Sequence, residues 1–398
     1  MKTYNAEQIS PNVWWVGAVD WNVRNFHGYL TNRGTSYNAF LVIDEKITLI
    51  DAVKSGFEAE MFERISSVID PEKIDYIVSN HAEPDHSGAL ANAIAVIKPE
   101  KVFASAVGAK TLKAYYGLDV ETAGATLSLG AGSLAFVDTK MLHWPDSMMS
   151  FYDRDGVLFS QDAFGMHLAH SKLWADEIDE SIRDYEMTKY YANIINNYSM
   201  KVTALLDAFP ALNLDVKVIA PDHGPLYREN FGRIFEMYRA LAQQAPVCRA
   251  TVVYATMWHS TEKLARAFAD GVRAAKVEVN IIDLAVSERS EVMTAVATSG
   301  LVAFGSPTMN NQVFPAMADV LTYVRGLKPQ NKLGFAFGSC GWSGEGAKFI
   351  AAELEAMKFE LPCPMLQVRY MPTEAELAAA FESGKTLASM LKEKINNQ

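Results

Sequence analysis

The chain has 398 residues, with 36 Lys+Arg against 47 Asp+Glu for a formal net charge of −11, and it is 49% hydrophobic and 21% charged. That length predicts two domains, each long enough to bury a core without disulfides, and the composition excludes intrinsic disorder. The acidic balance, with no long Lys/Arg run, excludes nucleic acid and anionic membrane surfaces as partners. No apolar stretch reaches the roughly 18–20 residues of a membrane-spanning helix, and the N-terminus lacks a secretory layout, so the expected location is cytoplasmic. The three cysteines, Cys248, Cys340 and Cys363, form no CxxC pair. That excludes a disulfide framework and a cysteine-ligated iron site.

In chain order, Val13–Val16, Phe40–Ile43 and Thr48–Asp51 read as short strands of a hairpin-linked sheet. Asp75–Ser79 follows, running into the polar cluster His81–Gly88 and an Ala-rich helix over Ala89–Ile97. Further strands are expected at Lys101–Ala104, Ser133–Asp138, Met149–Tyr152, Val157–Ser160 and Val216–Ala220, with one long helical region over Glu180–Asp207. A helix over Arg233–Gln243 stops before Pro246, which places the boundary between domains 1–247 and 248–398. Beyond it strands and helices alternate. Strands at Ala250–Ala255, Val277–Asp283, Leu301–Phe304 and Lys332–Phe337 are separated by helices at Thr261–Ala274, Ser287–Ala297, Pro315–Arg325 and Gly344–Met357, and a last strand and helix close the chain. That is a doubly wound parallel sheet of about five strands.

His81-Ala-Glu83-Pro-Asp85-His86 sets four potential metal ligands in six residues, directly after an apolar strand. Alternate positions of an extended loop project to one side, so His81, Glu83 and Asp85 can converge. The near-equal mix of imidazole and carboxylate suits iron or manganese, whereas zinc sites lean to nitrogen and sulfur. His143, Asp162 and His223 each end or follow another expected strand, at the sheet edge where functional groups gather. A single such residue is ordinarily a turn residue, but four of the eight histidines fall in this set.

His81-x-Glu83-x-Asp85-His86 resembles the metallo-β-lactamase signature with its second histidine replaced by glutamate. With eighteen residues between His143 and Asp162 and sixty between Asp162 and His223, the pattern is similar to the flavodiiron proteins. The similarity extends to Val16-Gly-Ala-Val-Asp-Trp21 and Met141-Leu-His-Trp-Pro-Asp-Ser-Met148. The resemblance implies an α/β chain in which a metallo-β-lactamase-like αββα sandwich precedes a flavodoxin-like doubly wound parallel sheet. It also implies two iron ions, one held by His81, Glu83 and His143 and the other by Asp85, His86 and His223, with Asp162 bridging them as a catalytic group. In some relatives the residue matching His86 is turned away and water replaces it. His27, in a family-like Phe26-His-Gly28, is expected to support the metal site from behind and is counted with Asp162 as catalytic. His167 and His170 match no ligand position and are expected to be structural.

In the second domain, Thr256, Met257, Trp258, His259, Ser260 and Thr261 lead from a strand into a helix, a ready site for a phosphate, although Ser/Thr there is often only a helix cap. Two further loops sit at the same sheet edge. One carries Ser306, Pro307, Thr308, Asn310 and Asn311; the other carries Ser339, Cys340, Gly341, Trp342 and Gly344. Small and polar residues there let backbone approach a planar ring, with Trp258 and Trp342 offering aromatic surface. The arrangement resembles flavodoxin and implies FMN; His259 stands where many free flavodoxins carry glycine. No GxGxxG follows a strand, which disfavours a built-in NAD(P) site.

The resemblance implies an oxidoreductase that reduces O2 to water, NO to N2O, or both. A flavin and a diferrous pair together store the four electrons that O2 reduction needs, while coupling two NO molecules takes two. Electrons arrive from outside, with a separate rubredoxin leading and coenzyme F420 as an alternative, and the implied assembly is a head-to-tail homodimer or a dimer of dimers. Two other classes compete: a zinc hydrolase with an appended flavodoxin domain, disfavoured by Glu83, and a plain electron carrier with a structural metal, disfavoured by the ligand set.

Overall fold

The computed structural model describes residues 4–397. The chain forms two compact units. The first runs to Phe26 and takes up Thr31–Tyr191 and Tyr198–Arg239; the second comprises His27–Leu30, Ala192–Asn197 and the chain from Ala240 onward.

The first unit contains two stacked sheets. One has the order β1 (Glu7–Ser10), β2 (Val13–Trp15), β3 (Phe40–Val42), β4 (Thr48–Ile50), β5 (Tyr76–Ser79), β6 (Lys101–Ala104) and β7 (Glu121–Thr122). The other has the order β8 (Thr126–Ser128), β9 (Ser133–Asp138), β10 (Met148–Tyr152), β11 (Val157–Gln161) and β12 (Val218–Pro221). Side-chain alternation along the strands builds two cores. Phe40, Val42, Ile50 and Val78 face Leu134, Tyr152, Phe159 and Val218 between the sheets. Their neighbours Leu41, Leu49 and Ile77 point the other way, onto Met61, Ile65, Leu90 and Ile97 of helices Glu58–Val68 and Leu90–Ile97. Because side chains alternate across a strand, a one-residue slip would exchange these faces, and the apolar pattern fixes the register. β4, β5, β6 and β7 run parallel, as do β11 and β12, so their loops leave on common edges.

In the second unit β13 (Arg249–Tyr254), β14 (Glu278–Asp283), β15 (Leu301–Met309), β16 (Leu333–Cys340) and β17 (Leu366–Arg369) form a parallel sheet in the order β14-β13-β15-β16-β17. This is the doubly wound order whose switch point lies between the first and third strands in sequence. Leu264, Phe268, Leu387 and Leu391 cover one face, and Val292, Met293, Met317 and Ile350 the other.

Two expected elements differ. The long helix over Glu180–Asp207 is interrupted: helix Glu180–Tyr190 widens over Tyr191–Ile195, tightens over Asn196–Tyr198 and resumes at Ser199–Ala208. Here the side chains of Asn193 and Asn196 bind Ser290 O, Thr294 Oγ1 and Leu327 O within the second unit, and Asn residues hold such irregular backbone better than a helix interior. The residues from Gly305 onward, expected as a loop, continue β15 to Met309 because Ser306 and Pro307 pair with Gly338 and Ser339. The chain then reverses through Asn310 and Asn311, both with left-handed φ (54° and 56°), into the short strand Gln312–Val313. Asn at both central positions suits such a tight hairpin turn.

Candidate metal centre and cofactor cavity

All seven residues that the sequence singled out as ligands arrive at one edge of the first unit. His81 follows β5, and Pro84 starts a single helical turn, Pro84–Ser87, whose first turn carries Asp85 and His86. His143 lies on the connection between β9 and β10, Asp162 directly follows β11, and His223 closely follows β12. The side chains sort into two groups, His81, Glu83, His143 and Asp162 in one and Asp85, His86 and His223 in the other, each with its ligand atoms within 4.8 Å of one another.

Asp162 joins them. Its Oδ2 lies 3.2 Å from His81 Nε2 and 3.1 Å from His143 Nε2, while its Oδ1 lies 3.3 Å from His86 Nε2 and 3.5 Å from His223 Nε2. Glu83 Oε2 serves only the first group, 3.4 Å from His81 Nε2 and 3.1 Å from His143 Nε2. Asp85 serves only the second, with Oδ1 3.5 Å from His86 Nε2 and Oδ2 3.2 Å from His223 Nε2.

The other nitrogen of three rings is turned outward onto a fixed partner. His81 Nδ1 faces Asp146 Oδ2 at 3.0 Å, His86 Nδ1 faces Asp222 Oδ2 at 3.6 Å, and His223 Nδ1 donates to Ser36 O at 2.7 Å. Hydrogen-bonding partners such as Asp146 and Ser36 O fix the ring and its tautomer, leaving Nε2 aimed inward, whereas the His86–Asp222 contact is too long for a hydrogen bond. Around them Asp51 accepts from Asn80 N and Nδ2, and Gln161 ties the loops by donating to Leu142 O and accepting from Asp162 N. Asp51, Met141, Gln161 and Phe164 in the surrounding loops adopt left-handed φ without being glycine, a backbone conformation that carries strain.

These outer partners were not among the expected site residues. The signal for two of them was present: Asp146 closes Leu142-His-Trp-Pro-Asp and Asp222 immediately precedes His223. Ser36 acts through its carbonyl, which carries no sequence signal. His167, expected to be structural, is buried against the site, its ring 4.6 Å from that of His223, with Thr35 Oγ1 2.9 Å from its Nδ1. His170 accepts from Lys172 N in a turn. His27 is not among the converging seven. It is exposed at the two-residue turn between strands Asn25–Phe26 and Tyr29–Leu30, while its neighbour Phe26 packs against His167 with ring centroids 4.8 Å apart and planes tilted by 48°.

The electrostatics are those of a cation site. Burial alone would strip the proton from His81, yet Asp146, Asp162 and Glu83 hold it well above the usual imidazole range. Burial likewise opposes the charge on His143, but Asp162 and Glu83 push it up to about 9. Burial would keep Asp162 protonated, and His86, His143 and His81 instead hold it well below the ordinary carboxylate range. The inward atoms His81 Nε2 and His86 Nε2, both oxygens of Asp85 and both of Asp162 are nevertheless buried without an ordinary hydrogen bond. Lone pairs of nitrogen and oxygen in this proportion fit iron. The residues therefore fit a two-metal centre.

In the second unit a cavity of about 480 Å³ opens at the switch point. It is lined by Met257, Trp258, Ser260, Pro307, Thr308, Asn310, Asn311, Ser339, Cys340, Gly341 and Trp342, together with Ser343 and Tyr370, which the sequence did not single out. The remaining expected contacts, Thr256, His259, Thr261, Ser306 and Gly344, stand behind or beside this lining. Thr261 Oγ1 lies 2.9 Å from Ser339 Oγ, tying two of the loops together, and Ser306 Oγ accepts from Phe314 N at 3.0 Å. His259 adopts φ 63° at the head of helix Ser260–Ala274, the backbone that would favour glycine. Thr256 Oγ1 is buried without a partner. Trp258 and Trp342 are each 82% exposed. A polar loop at a helix N-terminus beside exposed aromatic faces fits a phosphate joined to a planar ring.

Residues 35–224 match the model of the ODP family beta lactamases, and residues 252–384 that of flavodoxin. The chain is 41% identical over 388 residues to the rubredoxin-oxygen oxidoreductase of Megalodesulfovibrio gigas, covering 96% of each. It is 39% identical over 391 residues to the nitric oxide reductase of Moorella thermoacetica, covering 96% of this chain and 98% of that one. Among solved structures, the flavodiiron protein of Giardia intestinalis superposes with a TM-score of 0.96 at 34% identity, covering 100% of this chain and 99% of the other.

Proposed function

The chain belongs to the flavodiiron proteins, and from that premise we propose that it is an oxidoreductase reducing O2 to water, NO to N2O, or both. The observation that carries this reading is the divided carboxylate of Asp162, with one oxygen toward each group of ligands. His81, Glu83 and His143 would hold one iron and Asp85, His86 and His223 the other, with Asp162 between them. His86 points its Nε2 inward, which supports reading it as a ligand. The cavity at the switch point would hold FMN. When bound, the flavin and the irons supply the redox chemistry, storing electrons singly and in pairs.

The protein supplies placement. Asp146 and Ser36 O keep the imidazoles of His81 and His223 aimed inward, so neither ring need turn as charge changes. Asp162 keeps the two half-sites close enough to act on one substrate. Phe26 and Tyr190 wall the His167–His223 side of the site with apolar ring surface, restricting water there.

The name of the Megalodesulfovibrio gigas relative supports rubredoxin as donor. Rubredoxin would feed electrons to the flavin, and F420 is the alternative donor. A head-to-tail homodimer would bring the flavin of one subunit to the metal centre of the next. Among the described residues no helix is long and apolar enough to cross a membrane, which agrees with a cytoplasmic place.

The test is elemental analysis and released-flavin absorbance on one purified sample, followed by anaerobic assays with O2 and NO. Two irons and one FMN per chain with gas-dependent turnover is the expected result. Zinc in protein grown with ample iron, without turnover, would bring the hydrolase reading forward.

A further inference from the structure

Outside the ligand set, an aromatic chain leads from the metal centre to the surface. Trp144 packs edge-on against His81, ring centroids 5.4 Å apart and planes at 84°, and flanks His143 at 6.3 Å. Tyr115 lies over Trp144 at 6.5 Å with the planes only 19° apart, and it is 52% exposed. Tyr116 is 5.7 Å from Tyr115, and its hydroxyl lies 3.2 Å from Ser87 Oγ, beside His86. These separations fall within the range of interacting aromatic pairs, so the rings form an unbroken series.

We propose that Trp144 and Tyr115 carry single electrons from the protein surface to the metal centre when the flavin has none to give. The proposal rests on the diiron reading. Tryptophan and tyrosine are the side chains that most readily give up one electron, and here they stand in series between a ligand imidazole and water. Trp144 gives one electron toward His81 and is left as a radical cation. Tyr115 returns an electron to Trp144 and releases its phenolic proton to water. A small thiol in solution then gives Tyr115 one electron and one proton, becoming a thiyl radical. The net transfer is one electron from thiol to centre and one proton from thiol to water, with no bond to the protein made. Packing alone accounts for the contact of Trp144 with His81, but it does not require an oxidisable ring, half in water, stacked on its far side.

The test uses the holoprotein with its iron reduced and its flavin oxidised, pulsed with O2 without thiol or protein donor, in the presence of 2-methyl-2-nitrosopropane. Peptide mass spectrometry then locates the trapped radical. The expected adduct is on Tyr115; it is lost in Trp144→Phe and restored in Trp144→Tyr, and in Tyr115→Phe it moves to Trp144 or Tyr116. Iron content, flavin content and O2 uptake are measured on every sample. An undiminished Tyr115 adduct in iron-replete Trp144→Phe, or wild-type adducts confined to other residues while O2 uptake is intact, overturns the path alone. Protein that binds no iron and consumes no O2 overturns the diiron reading and the path with it.

Discussion

Asp146 Oδ2 lies 3.0 Å from Nδ1 of His81 and simultaneously accepts Ala82 N at 2.7 Å, so one carboxylate oxygen sets both the ring and the backbone that carries it. Burial works against its charge, but the contact with His81 holds Asp146 below the usual carboxylate range, keeping it an acceptor. Asp146→Ala frees the ring to rotate and leaves Ala82 N unpaired. Outer partners of this kind are worth about 10–100-fold in metal affinity. Iron affinity at the His81 half-site should fall by that factor with FMN retained, as read by chelator competition. Unchanged affinity would remove Asp146 from the site.

Glu83 and Asp162 separate by their reach. Glu83 faces only His81 and His143, whereas Asp162 faces all four inward imidazoles. Glu83→Ala should therefore cost mainly one iron and Asp162→Ala both, each with gas reduction abolished and flavin still bound. Iron and flavin per chain distinguish the cases, and normal turnover in an iron-depleted variant would sink the mechanism.

What the sequence made legible was chemistry attached to local pattern. The six-residue cluster after an apolar strand and the polar loops before helices stand in the order the fold uses, because a ligand at a strand end is placed by the strand itself. Groups acting through backbone or distant packing left little trace. Ser36 contributes a carbonyl, and Tyr370 reaches the cavity from beyond the last strand of the sheet. Helices Glu58–Val68 and Ala106–Tyr116 were not expected, although Met61, Ile65 and Val68 of the first fall at helical spacing on one core, and the interruption at Tyr191–Tyr198 depends on Asn193 and Asn196 finding partners more than ninety residues away. His27 shows the converse: a motif-like setting drew attention to an exposed turn residue, while Phe26 beside it makes the ring contacts to His167 and His223.

Helices Ser260–Ala274 and Glu374–Asn396 meet through two glycines. A Cβ at Gly271 would come within 1.9 Å of Phe381 O, and one at Gly384 within 2.1 Å of Phe268 O. Backbone cannot yield as a flexible side-chain tip does, so the helices must move apart. Gly384→Ala should destabilise the second unit by about 1–3 kcal/mol, the usual cost of overpacking. Urea unfolding followed by released FMN reads this, while iron content stays at the wild-type level. A gain in stability, as expected of alanine in an unobstructed helix, would show that the contact is looser than described.

Lys332 is buried to 1% exposure, its ammonium donating to Ser299 O at 2.7 Å and Ala297 O at 3.2 Å. Burial pushes its pKa down from the ordinary 10.5 to about 8. Between those values the unfolded chain holds the proton more tightly than the folded one, so stability rises as pH rises through that window and the charge is a burden below it. Relative to Lys332→Met, which does not titrate, the wild type should gain at most about 3 kcal/mol on going from pH 8 to 10.5, at about 1.4 kcal/mol per pH unit. The two carbonyl bonds favour the charged form and make that figure a ceiling. Denaturant unfolding of both proteins across the window measures the difference directly. A difference that stays flat would mean the carbonyls fully offset desolvation and the lysine remains charged throughout.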